Sequence, residues 1–221
     1  MKKNLFLIAL AISVCGMATA QSRKVSVLGD SYSTYKGYIP PYYDVYYPTS
    51  GCDVNDVHQT WWALFVEKMG YAIDKNDSWS GSTVCNTGYS RGDYSDRAFF
   101  TRVNKLGNPD IIFMFGGTND AWANSPIGEY KYSDWSKRDL YTFRPALAYT
   151  LSQMKMLYPE AEIYILLNSE LKEEVNESFR TICKHYELPL IELHDIEKQS
   201  GHPSIKGMQA ICDQIIEFMG K

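Results

Sequence analysis

The sequence predicts an α/β fold in which a parallel sheet is covered by helices on both faces. Short β-rich runs alternate with helix-patterned segments along the chain. Two of the runs, "DIIFMFGG" (110–117) and "EIYILLN" (162–168), are nearly continuous in apolar residues, as strands buried on both faces must be. The 221 residues, about 200 once a leader is removed, suffice for one well-buried core and are short for two.

The opening "MKKNLFLIALAISVCGMATAQ" has two lysines, an apolar stretch too short to span a bilayer, and small residues at Ala18 and Ala20. It reads as a signal peptide over residues 1–20, leaving residues 21–221 as one exported domain, periplasmic or extracellular. A lipoprotein reading would use Cys15, but the bulky Val14 before it fits that processing poorly. The first strand is "KVSVLG" (24–29). Asp56 can cap a helical segment through Met69 that carries Trp61, Leu64, Phe65 and Lys68. A weak second strand lies near "YAIDKND" (71–77), followed by a helix over Ser95 to Leu106 and then the third strand. Thr142 is the N-cap of a helix that tolerates Pro145 in its first turn and aligns Phe143, Leu147, Leu151 and Met154. After the fourth strand come an amphipathic helix from Leu171 to Tyr186 and a fifth strand, "LPLIELH" (188–194). The last helix begins at Pro203 and should bury Ile205, Met208, Ile211, Ile215 and Phe218.

Composition removes several function classes. The formal charge is −4, and loss of Lys2 and Lys3 with the leader makes the remainder more acidic, so no nucleic acid partner is expected. No other run is long and apolar enough to span a membrane. Cys52, Cys85, Cys183 and Cys212 remain after processing; their even number permits disulfides, and Cys183 and Cys212 read equally well as buried thiols. No CxxC or CxxH spacing occurs, so no metal site is expected. Oligomeric state stays open.

In an open parallel sheet, ligands bind beyond the carboxyl ends of the strands. Gly29-Asp30-Ser31 follows the first strand and "GGTND" (116–120) follows the third, so both reach one rim. A serine hydrolase needs an activated hydroxyl, a base, and donors for the oxygen that becomes negative. Ser31 can supply the hydroxyl and its own N–H, Asn119 an amide donor, and Gly81 in "SWSGS" a further backbone N–H. His202 in "SGHPSIKGM" can be the base, with His194 in reserve. "GYSRG" (88–92) matches the G-x-S-x-G nucleophile elbow letter for letter, but that motif works only on a strand-to-helix turn, and none is evident around Ser90.

The ordered set Gly29-Asp30-Ser31, Gly81, Gly116-Gly117-Thr118-Asn119-Asp120 and His202-Pro203 resembles the four blocks of the SGNH hydrolase (GDSL-type esterase/lipase) superfamily. The resemblance implies a flavodoxin-like three-layer α/β/α sandwich with a five-stranded parallel sheet, no cofactor, an acyl-serine intermediate, and an oxyanion hole from Ser31, Gly81 and Asn119. The family usually places an aspartate three residues before the histidine, where this chain has Gln199. An acid there orients the imidazole and stabilises its charged form. Gln199, a backbone carbonyl of the loop, or Glu197 are the candidates to replace it.

Residues 32–47 hold seven tyrosines interleaved with prolines, a long loop beside Ser31. Rings with polar tips suit a wet cleft that stacks on sugars, and they can equally pack the loop onto the domain. Tyr32, Trp79 and Trp122 are the candidate substrate contacts. The expectation is an exported serine esterase that removes a small acyl group, such as acetyl, from a small-molecule or glycan ester. The alternatives are a lipid-directed esterase or lysophospholipase, and a catalytically weak carbohydrate-binding relative; Gln199 motivates the last.

Overall fold

The computed structural model describes residues 22–220; the signal peptide expected over residues 1–20 lies outside the described residues. Five strands, β1 (Lys24–Gly29), β2 (Ala72–Ser78), β3 (Ile111–Phe115), β4 (Glu162–Leu167) and β5 (Leu190–Glu192), form one sheet in the order β2-β1-β3-β4-β5. Every neighbouring pair is parallel, which is the flavodoxin-like arrangement. Alternation along β3 sends Ile111, Phe113 and Phe115 to one core and Ile112 and Met114 to the other. Helices α1 (Trp61–Met69) and α6 (Ile205–Met219) cover the first face with Trp61, Phe65, Met208, Ile211 and Ile215. The second is covered by α2 (Phe99–Arg102), α4 (Phe143–Leu157) and α5 (Glu173–Tyr186), while the short α3 (Thr118–Ala123) sits at the carboxyl rim.

Several boundaries differ from the pattern-based expectation, each for a local reason. Asp56 caps a 3-10 turn, Val57–Gln59, with Gln59 completing a capping box, and the α-helix starts only at Trp61. The helix expected over Ser95 to Leu106 is a four-residue α-turn followed by a 3-10 turn, Val103–Lys105. β2 reads weakly because it is an edge strand: only its end, Asn76 to Ser78, is buried. The last helix begins at Ile205 rather than at Pro203, with Ser204 as its N-cap accepting from the Gly207 N–H. Phe218 is 38% exposed in the last turn of α6, where its ring meets the edge of Tyr164, so it is not a core residue.

All four described cysteines are free thiols. Cys212 belongs to one core and Cys183 to the other, with the sheet between them, so these two cannot pair. After β5 the chain makes a small antiparallel hairpin, β6 (Lys198–Gln199) and β7 (His202–Pro203), which the strand patterns did not anticipate. That hairpin delivers His202 to the rim.

Candidate active site

The turn that carries Ser31 is built by Asp30. Its carboxylate accepts from the Tyr32 N–H at 3.1 Å and so caps the 3-10 turn Ser31–Ser33, while its own N–H donates to the Phe115 carbonyl on β3. Ser31 sits at the start of this turn, with Oγ 2.9 Å from His202 Nε2. Asp30 is buried, and burial pushes its carboxyl up to about 7 against the opposing Tyr32 N–H.

The hairpin sets the histidine. Ser200 and Gly201, the two turn residues, both have positive φ (49° and 77°), as a tight two-residue hairpin turn requires. His202 Nδ1 lies 3.1 Å from the Ser200 carbonyl oxygen. A carbonyl only accepts, so Nδ1 carries the proton and Nε2 presents its lone pair to the Ser31 hydroxyl. The hairpin is pinned from outside: Ser200 Oγ donates to the Gly51 carbonyl, Tyr32 OH to that of Gly201 and Tyr47 OH to that of Pro203. Tyr46 stacks on the imidazole at 3.5 Å. Burial lowers the His202 pKa, opposed by the Ser200 carbonyl, and this favours the neutral base.

Neither side chain expected to orient the imidazole reaches it. Gln199 Oε1 accepts from the Asp53 N–H at 2.8 Å, and its Nε2 donates to the Asp53 carboxylate. Glu197 accepts from Ser204 Oγ at 2.6 Å. Gln199 is the ladder partner of His202, yet both ends of its amide are taken by Asp53 and turned away from the imidazole. His194, the reserve base, is exposed beside Asp195.

The oxyanion candidates meet in the loop after β2. The Trp79 N–H donates to the Gly29 carbonyl, and the Ser82 N–H returns to the Trp79 carbonyl, closing a turn over Gly81. Gly81 has φ +78°, and a Cβ there would meet nothing within 4 Å, so its backbone borders open space. The N–H groups of Ser31 and Gly81 have no protein acceptor among the described residues. Asn119 Nδ2 donates to the Ser82 carbonyl at 3.0 Å, and Asn119 Oδ1 accepts from Tyr89 OH at 2.7 Å. Asp120 accepts from the Val84 and Cys85 N–H groups and holds the continuation of this loop.

Beneath the loop lies Arg102, fully buried. Its five N–H groups meet five acceptors: the Arg97 carbonyl, the Asp77 carbonyl and carboxylate, the Gly29 carbonyl and Ser82 Oγ. It ties the tips of β1 and β2 to the Gly81 loop. Sequence reading missed Arg102, whose only signal was a lone basic residue in an apolar segment.

The aromatic candidates divide. Trp122 is 43% exposed and lies 5.8 Å, ring to ring, from His202, so it can touch a bound substrate. Tyr32 is fully buried under the hairpin and is a support rather than a contact. Trp79 is stacked on Tyr43 at 4.0 Å and hydrogen-bonded to Asp44. In the tyrosine-rich loop Tyr46 and Tyr47 pack the hairpin, while Tyr38 and Tyr42 line a surface cleft of about 580 Å³ along β2, away from Ser31 and His202. Ser90 is exposed at φ 53° in a loop with neither strand before it nor α-helix directly after it, so the elbow geometry is absent.

Comparison with known proteins bears on this rim. The family model described as GDSL-like lipase/acylhydrolase matches residues 23–219. A Bacteroides ovatus protein assigned as a GDSL-like lipase is 57% identical, with a TM-score of 0.90 over 91% of this chain and 99% of its own. A second such protein, from Bacteroides uniformis, is 52% identical, with a TM-score of 0.88 over 90% of this chain and 96% of its own. A family two carbohydrate esterase from Clostridium thermocellum, in complex with cellohexaose, shares the fold at 17% identity and a TM-score of 0.58, over 89% of this chain and 63% of its own. No curated protein matches in sequence.

Proposed function

The chain belongs to the GDSL-like lipase/acylhydrolase family, hydrolases that act on esters, and from that premise we propose that it is an exported serine esterase removing a small acyl group from a carbohydrate. The observation that carries the serine mechanism is the 2.9 Å contact between Ser31 Oγ and a His202 whose other nitrogen is held by a carbonyl. Ser31 Oγ attacks the ester carbonyl carbon while its proton passes to His202 Nε2. The carbonyl oxygen becomes negative and takes hydrogen bonds from the Ser31 and Gly81 N–H groups and the second Asn119 Nδ2 hydrogen. The tetrahedral adduct expels the alcohol, which receives the proton from Nε2. Water then attacks the acyl-serine by the same route and releases the acid.

The small-acyl, carbohydrate-directed reading is supported by the character of the rim. Trp122 and Tyr89 offer half-exposed rings with polar edges, and the fold is shared with a carbohydrate esterase. Export is supported by the leader-like residues 1–20.

The test joins labelling to a substrate profile. An organophosphonate probe should add one adduct mass, mapped to Ser31, and Ser31→Ala should lose the adduct and at least about 1,000-fold of turnover. Acetyl esters, including acetylated oligosaccharides, should be cleaved faster than long-chain esters. Faster cleavage of long-chain esters would move the assignment to a lipid-directed esterase. Absence of labelling with retained glycan binding would make the chain a binding relative.

A further inference from the structure

Asn119 is held on both sides of its amide. The Ser82 carbonyl can only accept, so the atom facing it is Nδ2; Oδ1 therefore faces Tyr89, whose hydroxyl must donate. With one Nδ2 hydrogen on Ser82, the other has a fixed direction and no protein acceptor among the described residues. The phenol is the side-chain half of the pair that holds this amide, the Ser82 carbonyl being the other.

Tyr89 reaches that position from the "GYSRG" loop, the segment that resembles a nucleophile elbow and is not one. Ser90 and Arg91 are consecutive non-glycine residues in the left-handed region, at φ 53° and 60°. The loop is closed by the Gly88 N–H on the Gly92 carbonyl and flanked by an antiparallel bridge between Thr87 and Asp93. Its base is fastened to the domain by Ser125 Oγ on the Thr87 carbonyl and by Thr87 Oγ1 on the Tyr141 carbonyl. Gly88 lies against the Tyr94 ring, with no room there for a Cβ. Such construction delivers one side chain, Tyr89, to one acceptor on α3.

We propose that Tyr89 is a positioning residue for the oxyanion site, its hydroxyl fixing the Asn119 amide so that the free Nδ2 hydrogen points at the developing negative charge. The inference rests on the proposed role of Asn119 as an oxyanion donor. Burial raises the phenol to about 12, which keeps it a donor at every pH at which an esterase is assayed. The hydroxyl makes the bond to Asn119, while the ring itself is 37% exposed. The hydroxyl and the ring can therefore be tested separately.

The experiment is a double-mutant cycle on p-nitrophenyl acetate with Tyr89→Phe, Asn119→Ala and the double variant, each also melted thermally. Tyr89→Phe should lower kcat about tenfold with KM unchanged, and Asn119→Ala about 100-fold, as for loss of an oxyanion donor. In the Asn119→Ala background, Tyr89→Phe should change kcat less than about twofold. A wild-type kcat for Tyr89→Phe beside a crippled Asn119→Ala would overturn this inference alone. So would equal losses in both backgrounds, or a lowered melting temperature with unchanged kcat. Full activity in Asn119→Ala would instead overturn the oxyanion reading on which the inference stands.

Discussion

The imidazole of His202 has no carboxylate partner among the described residues. The Ser200 carbonyl fixes the tautomer as an acid would, but it contributes a dipole where an acid contributes a full charge, so the imidazolium of the proposed mechanism is less stabilised. Restoring the family's usual letter would not repair this. The side chain at 199 is committed to Asp53, and an aspartate there would set two carboxylates against each other. Gln199→Asp should therefore leave kcat on p-nitrophenyl acetate within about twofold of wild type and lower the melting temperature by a few degrees, roughly 1 kcal/mol. A tenfold gain in kcat would mean that residue 199 can turn to the imidazole.

The element on which the proposed activity depends is the six-residue hairpin of β6 and β7, too short for hydrophobic periodicity to signal. Its geometry depends on Gly201, at φ +77°, where a Cβ would lie 3.4 Å from Trp122 Cη2. An alanine there incurs the left-handed penalty of about 1–2 kcal/mol, while its Cβ would meet the Trp122 ring only at ordinary contact distance. Gly201→Ala should lower the melting temperature by about 2–4 °C and kcat by about tenfold, because the hairpin carries both His202 and the carbonyl that orients it. Full turnover at the lowered melting temperature would show that the hairpin can deform without moving the imidazole. At the same scale, α2 and β2 were harder to read than β3 and β4. A four-residue turn and an edge strand bury too little for a pattern to emerge, whereas the central strands are apolar on both faces.

Across the whole molecule, the rim sits above a set of buried charges: Arg102, Asp77, Asp30 and Asp120. Burial raises Asp30 to about 7 and Asp120 to about 6, and Asp30 is raised further by Asp120 and lowered by Arg102. The ordinary value for Asp30 is 3.8, so between about 4 and 7 the folded chain holds a proton that the unfolded chain has released. The native state binds more protons, and stability from this group falls as pH rises through that window. Asp30→Asn cannot ionise. Melting temperatures measured from pH 5 to pH 8 should therefore shift steadily in favour of the variant, levelling off above about pH 7. A difference between the two proteins that stays constant with pH would show that Asp30 is not protonated in the fold.

What the chain alone determined was the order of strands and helices and the four blocks that meet at the rim. Burial on both faces forces apolar runs, and a reacting hydroxyl, imidazole and amide each require a particular side chain that can be read as a letter. Tertiary structure decided what holds those groups in place. The acceptor for His202 is a backbone carbonyl, which every residue carries and no letter marks. Tyr89, Arg102 and Tyr46 act through partners 30, 20 and 156 positions away, distances over which local pattern carries no information. Direction is a property of packing: of the tyrosines near Ser31, the fold buried Tyr32 beneath the hairpin and laid Tyr46 on the imidazole, although in sequence they are the same residue in the same loop.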